Sequence, residues 1–108
     1  MTAPSLFDAP AMEDRAALKL YLQHHARRLA IQLAERNGGY GVTASDVRVQ
    51  GQREGLWTHG QFHDRTWSFL SHTFRAVGLV PNGRQRRSDV PGARNYNRVY
   101  VLPPRAGE

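Results

Sequence analysis

Apolar residues recur at Leu18, Leu22, Ala26, Leu29 and Leu33, spaced by 4, 4, 3 and 4. That spacing lays one apolar stripe along a helix. Asp8 followed by Pro10 offers a carboxylate cap and a first-turn proline. No further Gly or Pro interrupts the run to Arg36. Asn37-Gly38-Gly39 then supplies the left-handed residue on which helices stop. The pattern predicts a helix from about Pro10 to Arg36, with Met1 to Asp8 as a loose arm. Leu20 and Ile31 lie off the stripe, on roughly the opposite side. They read either as isolated exposed apolar residues or as a dimer seam.

Val42-Thr43-Ala44-Ser45-Asp46-Val47 has the order of a helix start. Thr43 can cap, Asp46 can reach back from the third helical position, and Val42 can staple onto Val47. A helix from Ala44 to about Gln50 follows, with Gly51 and Gly55 breaking it. A strand through the alternating Val47 and Val49 is the weaker alternative. Leu56 to Phe62 forms a connector anchored by aromatic residues. A third helix is predicted over about 65–77, capped by Asp64 or His63 and ended by Gly78. Trp67, Leu70, Phe74 and Val77 make its inward face. Arg65, Ser68, His72 and Arg75 fall on the opposite face.

Leu79-Val80 begins a short strand and Asn82-Gly83 is a turn signal. Residues 83–97 form a polar loop carrying Arg84, Arg86, Arg87 and Arg94, with Pro91-Gly92 at its tip. Arg98-Val99-Tyr100-Val101-Leu102 has strand composition, and Pro103-Pro104 stops it. The expected class is α+β. The expected division is an arm over 1–8, one domain over 9–102 and a tail over 103–108.

Composition sharpens this layout. The chain has 108 residues, enough for one core. It has no cysteine, which excludes disulfides, Cys-ligated metals and thiol catalysis. No apolar run approaches the roughly 18 residues of a membrane span, and no basic segment followed by an apolar stretch marks a secretory signal. A cytoplasmic protein without membrane contact is the expectation. The net charge is +6, and 14 of the 15 basic residues are arginine. Residues 1–64 hold 7 basic and 7 acidic residues, whereas residues 65–108 hold 8 arginines against Asp89 and Glu108. The whole excess lies in the last two-fifths of the chain. Arginine suits planar, bidentate contacts to phosphate or guanine.

The order of long helix, short strand, two helices and a basic hairpin resembles the winged helix-turn-helix superfamily over roughly residues 13–102. The most specific part runs from Arg65-Thr66-Trp67-Ser68 to Arg75-Ala76-Val77-Gly78-Leu79-Val80, similar to a recognition helix entering the first wing strand. The Val42 to Val47 opening is similar to the usual start of the second helix. In broad form the chain looks like small bacterial or phage members. It departs from the family in a longer, glycine-containing linker between the second and third helices and in a long wing loop. The resemblance implies a three-helix winged helix-turn-helix with a C-terminal β-hairpin wing. It also implies double-stranded DNA as partner and a regulatory or architectural role.

The residues point the same way. A helix fits the major groove, where side chains reach base edges. Wing arginines can reach backbone phosphate or enter a minor groove. Arg65, Ser68, His72, Arg75, Arg84, Arg86, Arg87 and Arg94 are therefore the candidate DNA contacts. Arg75 has the alternative of satisfying its helix C-terminus, and Arg84, Arg86 and Arg87 that of a solvated loop. Tyr96 and Tyr100 read as hairpin packing, Trp57 and Trp67 as core, and the tandem His24-His25 as surface.

An enzyme is not expected. His59 and His63 have ligand spacing, but Gly60 lies between them and no glutamate accompanies them in a zinc-protease pattern. Gly38-Gly39-Tyr40-Gly41 lacks the lysine of a phosphate-cradling loop, and no serine has the elbow context of a hydrolase. No metal and no cofactor is expected. The alternatives to DNA binding are a protein-interaction module, including a homodimer through the first helix, and an RNA-binding protein or small nuclease.

Overall fold

The computed structural model describes residues 14–58, 64–88 and 96–103, with the side chains of Asp64 and Arg65 left aside. The first helix, α1, spans Arg15–Asn37. It starts later than the Asp8-Pro10 signal suggested. Asp14 has a non-helical backbone, and its carboxylate accepts the Ala17 N–H at 3.1 Å, so the cap falls here. Asp8 and Pro10 lie outside the described residues. Leu22, Ala26, Leu29 and Leu33 are buried as the stripe requires, and Leu18 is half-buried. Tyr21, His25, Ala30 and Ala34 widen the buried face.

His25 corrects the surface reading of the histidine pair. It sits one turn beyond Tyr21, edge-on to that ring at 4.7 Å, and is 3% exposed. Arg28 Nη2 lies 3.3 Å from His25 Nδ1; a guanidinium only donates, so Nδ1 accepts. Tyr21 in turn donates its hydroxyl to the Leu56 carbonyl at 2.6 Å, fastening α1 to the connector. Burial pushes the Tyr21 phenol above its ordinary pKa.

The second helix, α2, spans Ala44–Arg53. Both halves of the expected capping box form. Thr43 Oγ1 accepts from Asp46 N–H at 3.2 Å, and Asp46 Oδ2 accepts from Thr43 N–H at 2.9 Å. Val42 and Val47 are fully buried in the same core. The helix does not break at Gly51. The Trp57 ring folds back onto this residue, where a Cβ would collide with it, and Trp57 Nε1 donates to the Arg48 carbonyl at 2.8 Å. Gly51 is thus a contact glycine inside the helix, and the chain leaves helical geometry at Glu54-Gly55 instead.

The expected third helix divides in two. Asp64–Phe69 is 3-10, and the α-helix proper, α3, is Leu70–Ala76. In a 3-10 turn residues three apart share a line. Trp67 and Leu70 therefore both point inward, and Trp67 meets Trp57 edge-on at 4.9 Å. Phe74 is fully buried, while Val77 is only half-buried.

The strands β1 (Val80–Arg87) and β2 (Tyr96–Val101) pair antiparallel. The Asn82-Gly83 turn signal falls inside β1 rather than ending it. Pro81 pairs with Tyr100 and Gln85 with Arg98, so Asn82, Gly83 and Arg84 together oppose Val99. Asn82 Oδ1 accepts the Arg84 N–H at 2.9 Å, closing this bulge locally. The strand continues to Arg87, so Arg84, Arg86 and Arg87 belong to β1 rather than to a loop. The expected short strand between α1 and α2 contracts to Val42, which exchanges two 2.9 Å backbone bonds with Tyr100. Gly41, just before it, passes so close to β2 that a Cβ would lie 2.5 Å from the Tyr100 carbonyl, and its φ is 75°. The described chain is α+β, with three α-helices and a two-stranded hairpin packed on one core.

Candidate nucleic-acid interface

Ser68, His72 and Arg75 are exposed, as their side of the third helical segment requires. Within α3, Arg75 projects between Ser71 and His72 at 100° per residue. Ser71, Arg75, Asn97 and Arg98 line one cleft, floored by Phe74 and Tyr100, whose rings lie 4.8 Å apart. The cleft brings the end of α3 against β2, and Ala44, the first residue of α2, completes it.

Strand alternation sorts the hairpin arginines. Tyr100, Arg98 and Tyr96 share one face of β2. Their partners Gln85 and Arg87 share that face on β1. Arg87 and Arg98 are thus exposed on the side of the hairpin that packs against α3. Arg86 has the other orientation. It forms an ion pair with Asp46 at 2.9 Å, donates to the Gly41 carbonyl at 3.1 Å, and stacks on Tyr40 at 3.8 Å. Its side chain is 21% exposed. A guanidinium held on three sides is a structural tie between β1 and the start of α2. Arg84, in the bulge, borders a separate hollow with Gly38, Gly39 and Leu102. Arg65 has its backbone in the 3-10 turn, but its side chain is outside the described set, as is Arg94.

Comparison with protein-family models, curated proteins and solved structures returns no match. The local chemistry therefore carries the functional reading. Arg75, Arg87 and Arg98 form no ion pair among the described residues. No acidic residue occurs in α3, β1 or β2. Sequence reading missed Arg98, Ser71 and Asn97. The period of two in β2 held the signal for Arg98, since it must share a face with Tyr100. His59 and His63 lie outside the described residues. Among the described residues no group of three ligating side chains exists, and no helix is long and apolar enough to cross a membrane.

Proposed function

We propose that this protein is a winged helix-turn-helix module that binds double-stranded DNA in the cytoplasm, in a regulatory or architectural role and without catalysis. The exposed side of the third helical segment, with Ser68, His72 and Arg75, is the groove-facing surface. Arg87 and Arg98 extend it along the hairpin, and Arg65, Arg84 and Arg94 are further candidate contacts. The observation that carries this reading is the cleft that joins Arg75 to Arg98, neither of which forms an ion pair among the described residues.

Titration with random-sequence duplex across a salt series tests it. About four phosphate contacts give a slope of log K against log salt of about −3.6. Absence of salt-sensitive binding at micromolar protein refutes the reading.

A second reading concerns α1. Leu20 and Ile31 are 57% and 37% exposed and border one hollow with Gln23, His24 and Arg27. This stripe favours a protein contact, and a homodimer through α1 is its simplest form. Sedimentation of Leu20→Glu against the unaltered protein tests it, since a dimer through this stripe dissociates on that change.

A further inference from the structure

We propose that the cleft between α3 and β2 holds a single phosphodiester of the DNA backbone, gripped from two sides by Arg75 and Arg98. The proposal rests on the DNA-binding reading and goes beyond it by giving Arg75 a backbone role. Two arginines, one from each wall, border one hollow of about 300 Å³ whose lining contains no acidic residue. Like charges on one cleft repel, and an anion between them relieves that repulsion. Guanidinium forks match the tetrahedral oxygens of phosphate. The Ser71 hydroxyl adds a neutral donor on the α3 wall.

The floor fixes the geometry. Phe74 and Tyr100 are buried and in ring contact, and Tyr100 is bonded through its backbone to Val42. The two arginines thus project from elements locked to each other, so little ordering remains to be done on binding. A free phosphate offers the same oxygens. The backbone is the source favoured here because Arg75 borders His72 on the open side of α3, and Arg87 continues the face of Arg98 along the hairpin. The cleft is one step of a longer cationic track.

A specific division of labour follows. With Arg75 on the backbone, base edges fall to His72 and Ser68. Arg75→Gln and Arg98→Gln then weaken all duplex sequences alike, whereas His72→Ala alters sequence preference.

The test measures duplex affinity across a salt series for Arg75→Gln, Arg98→Gln and the double variant, with thermal melts as the folding control. One phosphate shared by two arginines remains contacted when either is removed. Each single variant should bind about tenfold more weakly with little change of slope. The double variant should flatten the slope by about 0.9. Flattening by about 0.9 in each single variant and by about 1.8 in the double means two separate phosphates and overturns the shared site. Unchanged affinity in all three variants also overturns it while leaving DNA binding intact. If the unaltered protein shows no salt-sensitive duplex binding, both readings fall together. The source is tested by following the Nε–Hε resonances of Arg75 and Arg98 with duplex and with inorganic phosphate. Duplex should move both signals at protein-stoichiometric amounts. Movement by inorganic phosphate but not by duplex overturns the backbone assignment.

Discussion

Arg28, Arg48 and Arg86 are each held by a partner within the protein, whereas Arg75, Arg87 and Arg98 form no ion pair among the described residues. Arg28 reaches Glu54 at 3.0 Å, Arg48 lies 5.2 Å over the Trp67 ring, and Arg86 meets Asp46 at 2.9 Å. All three contacts involve α2 or its C-cap residue. They tie it to α1, to the 3-10 turn and to the hairpin respectively. The unpaired set lies on α3 and on the α3-facing side of the strands. The same residue type thus has two uses separated by position. Around α2 the acidic residues Asp46 and Glu54 consume positive charge. On α3 and the strands there is no acidic residue, and on the proposed reading the charge there is what a bound nucleic acid meets.

The largest effect that tests this division is at the seam between the two regions. Phe74→Ala removes a fully buried ring that touches Tyr100. A stability loss of about 3–5 kcal/mol is expected in chemical denaturation. Loss of duplex binding should accompany it, because α3 and β2 lose their common floor. A loss below about 1 kcal/mol would show that α3 is not sealed by this ring and that the cleft has another support.

Asp46 is next in size. Its carboxylate closes the capping box with Thr43 and holds Arg86. Asp46→Ala removes both roles and should cost about 2 kcal/mol. Arg86→Ala should cost less, since the capping box survives. A double-mutant cycle measures their coupling. Additive losses would break the contrast, placing Arg86 with the unpaired arginines.

Most of the local signals were legible. The α1 stripe, the Thr43 capping box and the inward set Trp67, Leu70 and Phe74 each follow from side-chain chemistry within a few residues. Three features needed the tertiary structure. Gly51 reads as a helix breaker, and only the fold-back of the Trp57 ring from beyond the helix end explains a glycine kept inside α2. Asn82-Gly83 has turn chemistry, but the Arg84 N–H bond to Asn82 spends it on a bulge in a continuing strand. Arg86 is indistinguishable in sequence from Arg84 and Arg87. Its pairing with Asp46, 40 residues away, is what sets it apart from them. The charge split at residue 64 located the basic part of the chain but could not sort its members, because strand facing depends on where the bulge falls.

A smaller effect sharpens the α2 side of the contrast through pH. The Glu54 carboxyl is held below its ordinary pKa, first by the Gln50 side-chain hydrogen bond and then by Arg28, with burial opposing. A depressed folded-state pKa means that ionised Glu54 stabilises the fold above the ordinary glutamate value. That contribution is lost as pH falls through the depressed value. Exposure limits it to under about 1 kcal/mol. Glu54→Gln should remove this part of the acid sensitivity in melts taken across the acid range. An acid profile unchanged by the substitution would show that Arg28 gains nothing from this partner.

The smallest stability change is expected at Arg87, which makes it the cleanest comparison with its neighbour Arg86. Arg87 is exposed and unpaired among the described residues, so Arg87→Ala should shift stability by no more than about 0.5 kcal/mol. On the proposed DNA-binding reading its effect belongs to binding, where loss of one phosphate contact flattens the salt slope by about 0.9. Arg86→Ala should show the reverse pattern, with stability lost and the slope changed only through a displaced hairpin. Replacing Arg84, Arg86 and Arg87 together would mix the two effects, whereas adjacent single substitutions keep them apart. Equal stability losses at Arg86 and Arg87 would place both in structural ties. Equal slopes with no stability loss at either would return Arg86 to the DNA-facing set and dissolve the division on which the contrast stands.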